Sequence, residues 1–430
     1  MRYHEASDAA FRFLEGVQQM RILEVVAVLV LTFSTTCAVF PRGPRTPADE
    51  TIDTVQAVIE QTRSDIPDIV VLAEKCAQQL IATQRIGAYP KPELTSYEFM
   101  GRAAGFINFT WAAKPEDPGV IIYMPSPACE DLDKVINAKA YVYAICPREF
   151  LERGKDPEGR PYDLSKLAGI LGGLTPDQVC GPDRSKALSV PISRLGQVIR
   201  GWAFLGEVVA ACTRQGKMPM IFKSVQLPDS KAWNEPLIAN SKKGVMFHDD
   251  MTVKPVPAGY IAKTYLDSLS RDIRGLRSEV PAFRKAGQVM AEALADGHRA
   301  HVWIFGHAFP GLVRDCGPYE LPPYFTSYEK GVKEELQKGD VQVVMPYAKV
   351  PMDSLTGTLD TGWTILGARS IPPELAAHTN VITFRIQWAE GDAVVRIKGY
   401  PAKLLPDSAV VQATAFFAMA AEAAQSPREN

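Results

Sequence analysis

The stretch AHVWIFGHAFPG, Ala300 to Gly311, decides how the chain folds. Val302, Trp303, Ile304 and Phe305 form a short apolar run rich in β-branched and aromatic residues. It reads as a buried strand that breaks at once into Gly306-His307. Upstream, RKAGQVMAEALADGHR carries apolar residues at Val289, Met290, Ala293 and Leu294 and closes at Gly297, so a helix feeds the strand. In an open parallel sheet the ligand crevice lies beyond the carboxyl ends of the strands, where glycine lets backbone approach closely and a polar side chain can reach in. Gly306 and His307 are therefore the first candidate site residues, and His307 is one of only six histidines.

Outward from this stretch the bulk numbers set bounds. At 430 residues the chain has room for two or three domains of about 100–200 residues each. With 47 basic against 49 acidic residues the net charge is -2, and no basic patch is interleaved with aromatics, which argues against a nucleic-acid partner. Cys37, Cys76, Cys129, Cys146, Cys180, Cys212 and Cys316 show no CxxC pair and no metal-ligand spacing with histidine, so no metal site is expected. Most read as small buried hydrophobes, although one or two disulfides stay open if the protein is exported.

The export question rests on Met20 to Phe40, MRILEVVAVLVLTFSTTCAVF, where a basic residue, an apolar segment and a small-residue end resemble a secretory signal. Glu24 inside that segment and the nineteen residues before Met20 speak against it. Translation from Met20, acylation at Cys37, and a buried or membrane-anchoring helix all stay open. The expected location is exported or periplasmic if the segment is a signal and cytoplasmic otherwise, with membrane contact only through this segment. PRGPRTPADE follows as a proline-rich spacer outside any core. The expected division is thus 1–50 as apolar segment and spacer, 51–217 as a first domain, 218–260 as an irregular excursion, and 261–430 as a second domain.

The second half repeats the first. Helix 70–82 and strand 86–89 are answered by helix 284–296 and strand 302–305. The strand ending Met124-Pro125 is answered by the one ending Met345-Pro346, and YVYAI by TILGA. GWAFLGEVVAA, from Gly201, pairs with ATAFFAMAAEA, from Ala413. Ordered matches at a nearly constant offset suggest a tandem duplication, and strands alternating with helices predict parallel sheets. YEFMGRAAGFINFTW, between the first two strands, reads as a further helix.

With the repeat drawn, GDAVVRIKGYPAKLLPDSAVVQATAFFAMAAEAA, Gly391 to Ala424, resembles the end of sugar isomerase (SIS) phosphosugar-binding domains: a GDAV turn, a short strand, a K-x-x-P-x-S turn and a small-residue helix. ALADGHRAHVWIFGHAF is similar to the family's helix, strand and glycine-histidine turn, and GAYPKPELTSYEFMGRAAGF and GVIIYMPSP fall at its first two strand-to-helix turns. The resemblance implies an α/β fold of two tandem flavodoxin-like three-layer α/β/α domains with parallel sheets. It also implies a sugar-phosphate ligand, a homodimer and no cofactor.

The phosphate-binding turns depart from the family's serine- and threonine-rich pattern. PSPACED in the first copy offers only Ser126 beside two prolines and two acids, whereas PYAKVPMDSLTGT in the second keeps Lys349, Ser354, Thr356 and Thr358. A ligand is therefore expected in the second copy.

Aldose–ketose isomerisation needs a base and an acid, and the candidates are His307, Glu98 and Glu207, with Arg102 and Ser408 as ligand contacts. Each has a structural alternative. His307 reads equally as a turn residue, and Glu98 with Arg102 as a surface i,i+4 pair. Glu207, a carboxylate on an apolar helix, suits a cap or a domain contact, and Ser408 an N-cap. His298 and His301 sit at the strand start and read as surface; Trp303 and Trp363 read as core. Neither G-x-G-x-x-G after a strand nor G-x-x-x-x-G-K-[ST] occurs. Besides a phosphosugar-binding protein, with or without isomerase activity, two readings stay open: an exported two-lobed solute-binding protein, whose chain would cross between lobes, and a dimeric scaffold that binds nothing.

Overall fold

Two short runs of alternating side chains organise the first sheet. In β1 (Ile86–Tyr89), β2 (Phe109–Thr110), β3 (Val120–Tyr123), β4 (Tyr141–Ile145) and β5 (Gly169–Leu171) the strands are parallel in the order β2-β1-β3-β4-β5. That is the flavodoxin-like order, whose topological switch point lies between β1 and β3. Val120 and Ile122 face one side of the sheet and Ile121 and Tyr123 the other, and both sides are buried, as a sheet covered on both faces requires. The computed structural model describes residues 45–89, 98–110, 113–129, 131–173, 178–180, 188–304, 336–347 and 349–425.

The hairpin of β6 (Gln178–Cys180) and β7 (Leu188–Val190) follows the first sheet. A second parallel sheet has the order β11-β10-β9-β8, from β8 (Ala300–Ile304), β9 (Val341–Met345), β10 (Trp363–Ala368) and β11 (Val381–Arg385). It too is followed by an antiparallel hairpin, β12 (Val395–Arg396) with β13 (Lys403–Leu404). The described strands of the first sheet all lie within 86–171 and those of the second within 300–385, so among the described residues no strand of one half enters the sheet of the other.

The helices are α1 (Pro47–Ser64), α2 (Ile66–Thr83), α3 (Leu132–Ile136), α4 (Arg148–Arg153), α5 (Ile192–Arg214), α6 (Ser230–Ser241), α7 (Tyr260–Gly275), α8 (Val280–Ala295), α9 (Met352–Thr356), α10 (Pro373–Ala376) and α11 (Ser408–Gln425). One continuous apolar core takes in the inner face of each sheet together with α1, α2, α5, α7, α8 and α11. The outer faces have separate small cores, with Leu132, Val135 and Leu151 over the first sheet and Leu355, Leu359 and Leu375 over the second. Residues 46–430 accordingly form one compact unit. Helix α5 has the length and hydropathy of a membrane span, yet all of its most apolar stretch is enclosed in this core. At Gly206 it meets α7 so closely that a Cβ would stand 2.6 Å from Ile261 Cγ2, so only glycine fits.

Several expectations are corrected here. The folded unit does not wait until residue 51. Thr46 and Asp49 form a reciprocal capping box around Pro47, and Ala48 is fully buried, its N–H donating to Glu422 Oε1 at 3.0 Å. The stretch 97–111 is not a helix where it is described. Gly101 (φ +54°) and Ala104 (φ +69°) break the turn that starts at Glu98, and β2 follows. The segment 218–260 is not irregular throughout. Residues 104–107 exchange backbone hydrogen bonds with 220–222, and α6 folds despite Pro236 in its middle, which interrupts any helical period a reader could follow. His301 is no surface residue: its side chain is buried on β8, 3.3 Å from Asp340. Asp340 also accepts from the Arg299 and Gln337 N–H groups, and although burial works against the charge, these donors hold its carboxyl below the usual range.

Candidate functional site

The carboxyl ends of β1 and β3, at the switch point, lead into a buried cluster of charges that spans the two halves. Glu98 and Arg102, four residues apart on the connection after β1, are both buried, at 0% and 2% exposure, where a surface pair was the simple expectation. Arg102 Nε donates to Glu98 Oε1 at 3.0 Å. Its Nη2 donates to Ser408 Oγ at 2.8 Å and lies 2.6 Å from Asp392 Oδ2. The guanidinium also lies 6.0 Å from the centre of the Tyr347 ring. One cation from the first half is thus bound by a serine and a carboxylate from the second.

Local structure explains why the second-half partners are there. Gly391 (φ +70°) and Asp392 (φ +52°) both take the left-handed conformation, which turns the Asp392 side chain inward toward the start of α11. Asp392 Oδ1 accepts the Ser408 N–H at 2.9 Å and so caps α11, where the helix dipole favours a negative group. Ser408 is therefore capped by Asp392 while its own hydroxyl serves Arg102.

Electrostatics sets the protonation of the cluster. Burial drives the Glu98 carboxyl up to about 7; Arg102 opposes this, Asp392 adds to it, and the Trp202 indole N–H draws it down. Burial works against the Arg102 cation, but Asp392 and Glu98 outweigh that and hold it charged. Beyond Ser408 stands Asp407, fully buried and facing the half-buried Asp272 of α7. Burial, then Asp392, then Asp272 push the Asp407 carboxyl far above the carboxylate range. Burial and the nearby Asp407 likewise keep Tyr265 neutral.

On each side of the cluster a glutamine ties a long helix to the end of a strand. Gln197 of α5 donates to the Pro125 carbonyl, just past β3, at 3.0 Å. Gln412 of α11 donates to the Met345 carbonyl, the last residue of β9, at 3.1 Å. Both glutamines belong to the pattern P-x-S-x-x-x-Q, PISRLGQ at 191–197 and PDSAVVQ at 406–412. This pattern places Ser193 opposite Ser408 and shifts the helix pairing by three residues from a match of Gly201 with Ala413.

The remaining candidates are placed as follows. Glu207 has both oxygens on backbone donors, Oε2 on Gly259 N–H at 2.8 Å and Oε1 on Ala262 N–H at 2.9 Å, so it caps α7 from within α5. Burial raises its pKa and these bonds oppose the rise. Glu207→Ala strands those N–H groups in the core and is expected to cost about 1–3 kcal/mol. An unchanged urea midpoint would refute the cap.

Ser126 Oγ accepts the Ala128 N–H at 3.1 Å and shapes its own turn. Lys349 is exposed, and Thr356 is exposed with its hydroxyl donating to the Met352 carbonyl at 3.0 Å. Gly306, His307 and the Ser354 side chain lie outside the described residues. Trp303 is buried, whereas Trp363 is only half-buried, with Lys285 over its ring at 5.5 Å. Cys76, Cys129, Cys146 and Cys212 are free and buried. Among the described residues no group of three or more His, Cys, Asp or Glu side chains is placed to hold a metal ion.

Sequence reasoning missed Asp392, Asp407, Asp272, Tyr347, Gln197 and Gln412. Asp392 stood inside the GDAV turn without a role, and the repeated P-x-S-x-x-x-Q pattern was the signal that could have found the two glutamines.

No family model and no curated protein matches the chain. Among solved structures it is similar to the C-terminal domain of glucosamine-fructose-6-phosphate aminotransferase from Francisella tularensis, at 8% identity and a TM-score of 0.44, covering 89% of this chain and 96% of that one. It is also similar to tagatose-6-phosphate ketose/aldose isomerase from Escherichia coli, at 11% identity and a TM-score of 0.43, covering 88% of this chain and 92% of that one. The fold is α/β with parallel sheets, as the order and direction of its own strands establish.

Proposed function

We propose that the chain binds a phosphorylated sugar or a related carbohydrate derivative beyond the carboxyl ends of its strands, as two tandem units, the first beginning at Thr46 and the second at about residue 261, joined through 218–260. The observation that carries this reading is the buried Glu98–Arg102 pair at the flavodoxin-like switch point, the place where such sheets bind ligands, together with the family resemblance of Gly391–Ala424. In this reading the turns after β8 and β9, with Gly306, His307, Lys349, Ser354 and Thr356, supply the phosphate and sugar contacts. Ser126 belongs to the corresponding turn after β3.

Isomerisation is the finer reading. A carboxyl group with a pKa near neutrality can both accept and return a proton, which is what moving hydrogen between neighbouring sugar carbons requires. Glu98 is the described residue that fits, and Glu207, whose oxygens are both committed to backbone, does not. A second reading, binding without turnover, is favoured by the engagement of Arg102 with three partners, which leaves it as a link between halves more than a phosphate ligand.

The test is thermal unfolding against hexose and pentose phosphates, the unphosphorylated sugars and free phosphate, followed by NMR of solvent-deuterium exchange at the sugar carbons. A sugar phosphate at a hundredfold excess over its Kd stabilises by about 2.7 kcal/mol. Stabilisation by a sugar phosphate and not by its sugar supports binding. Deuterium uptake that Glu98→Gln abolishes supports isomerisation, and uptake that survives that change removes Glu98 from it. No shift with any compound would overturn the binding reading.

A further inference from the structure

Away from the charge cluster, a cleft of about 710 Å³ opens between the strap 254–257, Tyr260 at the start of α7, and the turn of the β12–β13 hairpin. Such a volume suits a small organic ligand. Lys254, Arg396 and Lys398 line it, and among the described residues no acidic side chain does. All three cations are exposed, and none has a carboxylate partner among the described residues. Arg396 ends strand β12 and Lys398 stands in the turn that follows, on either side of buried Ile397.

The walls are already built. Val256 N–H donates to Thr213 Oγ1 at 2.9 Å and its carbonyl accepts from Arg214 Nη1 at 2.6 Å, while Pro255 and Pro257 have no N–H to offer. Across the cleft Tyr400 is fastened through its hydroxyl, which accepts the Ile221 N–H at 3.1 Å and lies 3.1 Å from His248 Nε2. The backbone of Val256 is thus occupied internally, and three uncompensated cations line the opening. On a chain whose net charge is -2, this concentration of positive charge in a concave site attracts and holds anions. The half-exposed ring of Tyr260, at 46%, adds a flat apolar surface beside them.

We infer that this cleft binds a small organic polyanion of the diphosphate class, its charged end among Lys254, Arg396 and Lys398 and its body along Tyr260 and the prolines. The site is separate from the one proposed for sugar phosphate, since none of its residues belongs to the Glu98–Arg102 cluster or to the turns after β8 and β9.

The experiment is calorimetric titration of the full chain with inorganic pyrophosphate at fixed ionic strength, with orthophosphate as comparison. Pyrophosphate is expected to bind at least tenfold more tightly than orthophosphate. The combined change Lys254→Gln, Arg396→Gln, Lys398→Gln is expected to weaken it at least tenfold; all three side chains are exposed, so the fold, checked by circular dichroism, is retained. A control variant, Lys231→Gln, Lys242→Gln, Lys243→Gln, alters the net charge equally and is expected to bind as the parent does. Equal affinity of the cleft variant and the parent, or equal weakening in the control, overturns the site. Sugar-phosphate stabilisation that survives in the cleft variant keeps the two proposals apart.

Discussion

Arg102→Met is expected to lower the stability of the protein by about 3–5 kcal/mol, the usual cost of removing one partner from a buried ion pair. The guanidinium is the cation that faces Glu98 and Asp392 in a region with almost no solvent contact, and it also donates to Ser408. Methionine fills much the same volume, so the loss would come from carboxylates left without a partner and not from a cavity. Combining Arg102→Met with Glu98→Gln and Asp392→Asn removes those charges too and should recover a large part of the loss. Urea unfolding at pH 8 of the single and triple variants reads the difference directly. A single variant within 1 kcal/mol of the parent would mean that the cluster is solvated and that Arg102 is no buried bridge.

The second large effect is a pH dependence. Burial raises the Glu98 carboxyl from its ordinary 4.5 to about 7. Because the folded state holds this proton more tightly than the unfolded chain, the group's contribution is fully present below pH 4.5 and is lost as the pH rises through about 7. A shift of that size corresponds to about 3 kcal/mol. Glu98→Gln imitates the protonated form and still accepts from Arg102, so its stability should not fall across that window and should exceed that of the parent above pH 7. Burial raises the Asp407 and Asp272 carboxyls as well, which adds a decline of the same sign to both proteins, so the comparison is between their slopes. Identical slopes from pH 4.5 to 8 would dispose of Glu98 as the titrating group.

How much of this was legible beforehand follows from which interactions are local. Strand β1 was read at Ile86–Tyr89 where it stands, and β3, β4, β8 and β9 within a residue or two, because a short β-branched run between turn residues marks a buried parallel strand. The start of α1 was legible and passed over: Thr46-Pro47-Ala48-Asp49 is a capping box with proline at its first position. The region after β1 was misread as helix because its apolar residues do recur at helical spacing. The positive φ at Gly101 and Ala104, and the pairing of 104–107 with 220–222, show that the chain turns there.

The candidate site divides in the same way. Glu98 and Arg102 were found as a pair from their spacing of four, which is a statement about neighbours along one segment. Their burial could not be found that way, since it depends on Asp392, Ser408 and Tyr347, some 245 or more residues distant in the chain. Glu207 was legible as an oddity on an apolar helix, and its role as the cap of α7 came from a helix that begins over fifty residues later.

Apolar periods of two and of 3.6, turn residues and caps act within a few residues, so most elements and the α/β class can be read along the chain. Packing adds that the helices of both halves share one core, that 104–107 pairs with 220–222, and that carboxylates from both halves, Glu98 and Asp392, meet on one arginine. Those outcomes depend on desolvation, and how far water is excluded from a side chain is set by every segment packed around it and not by its neighbours in sequence.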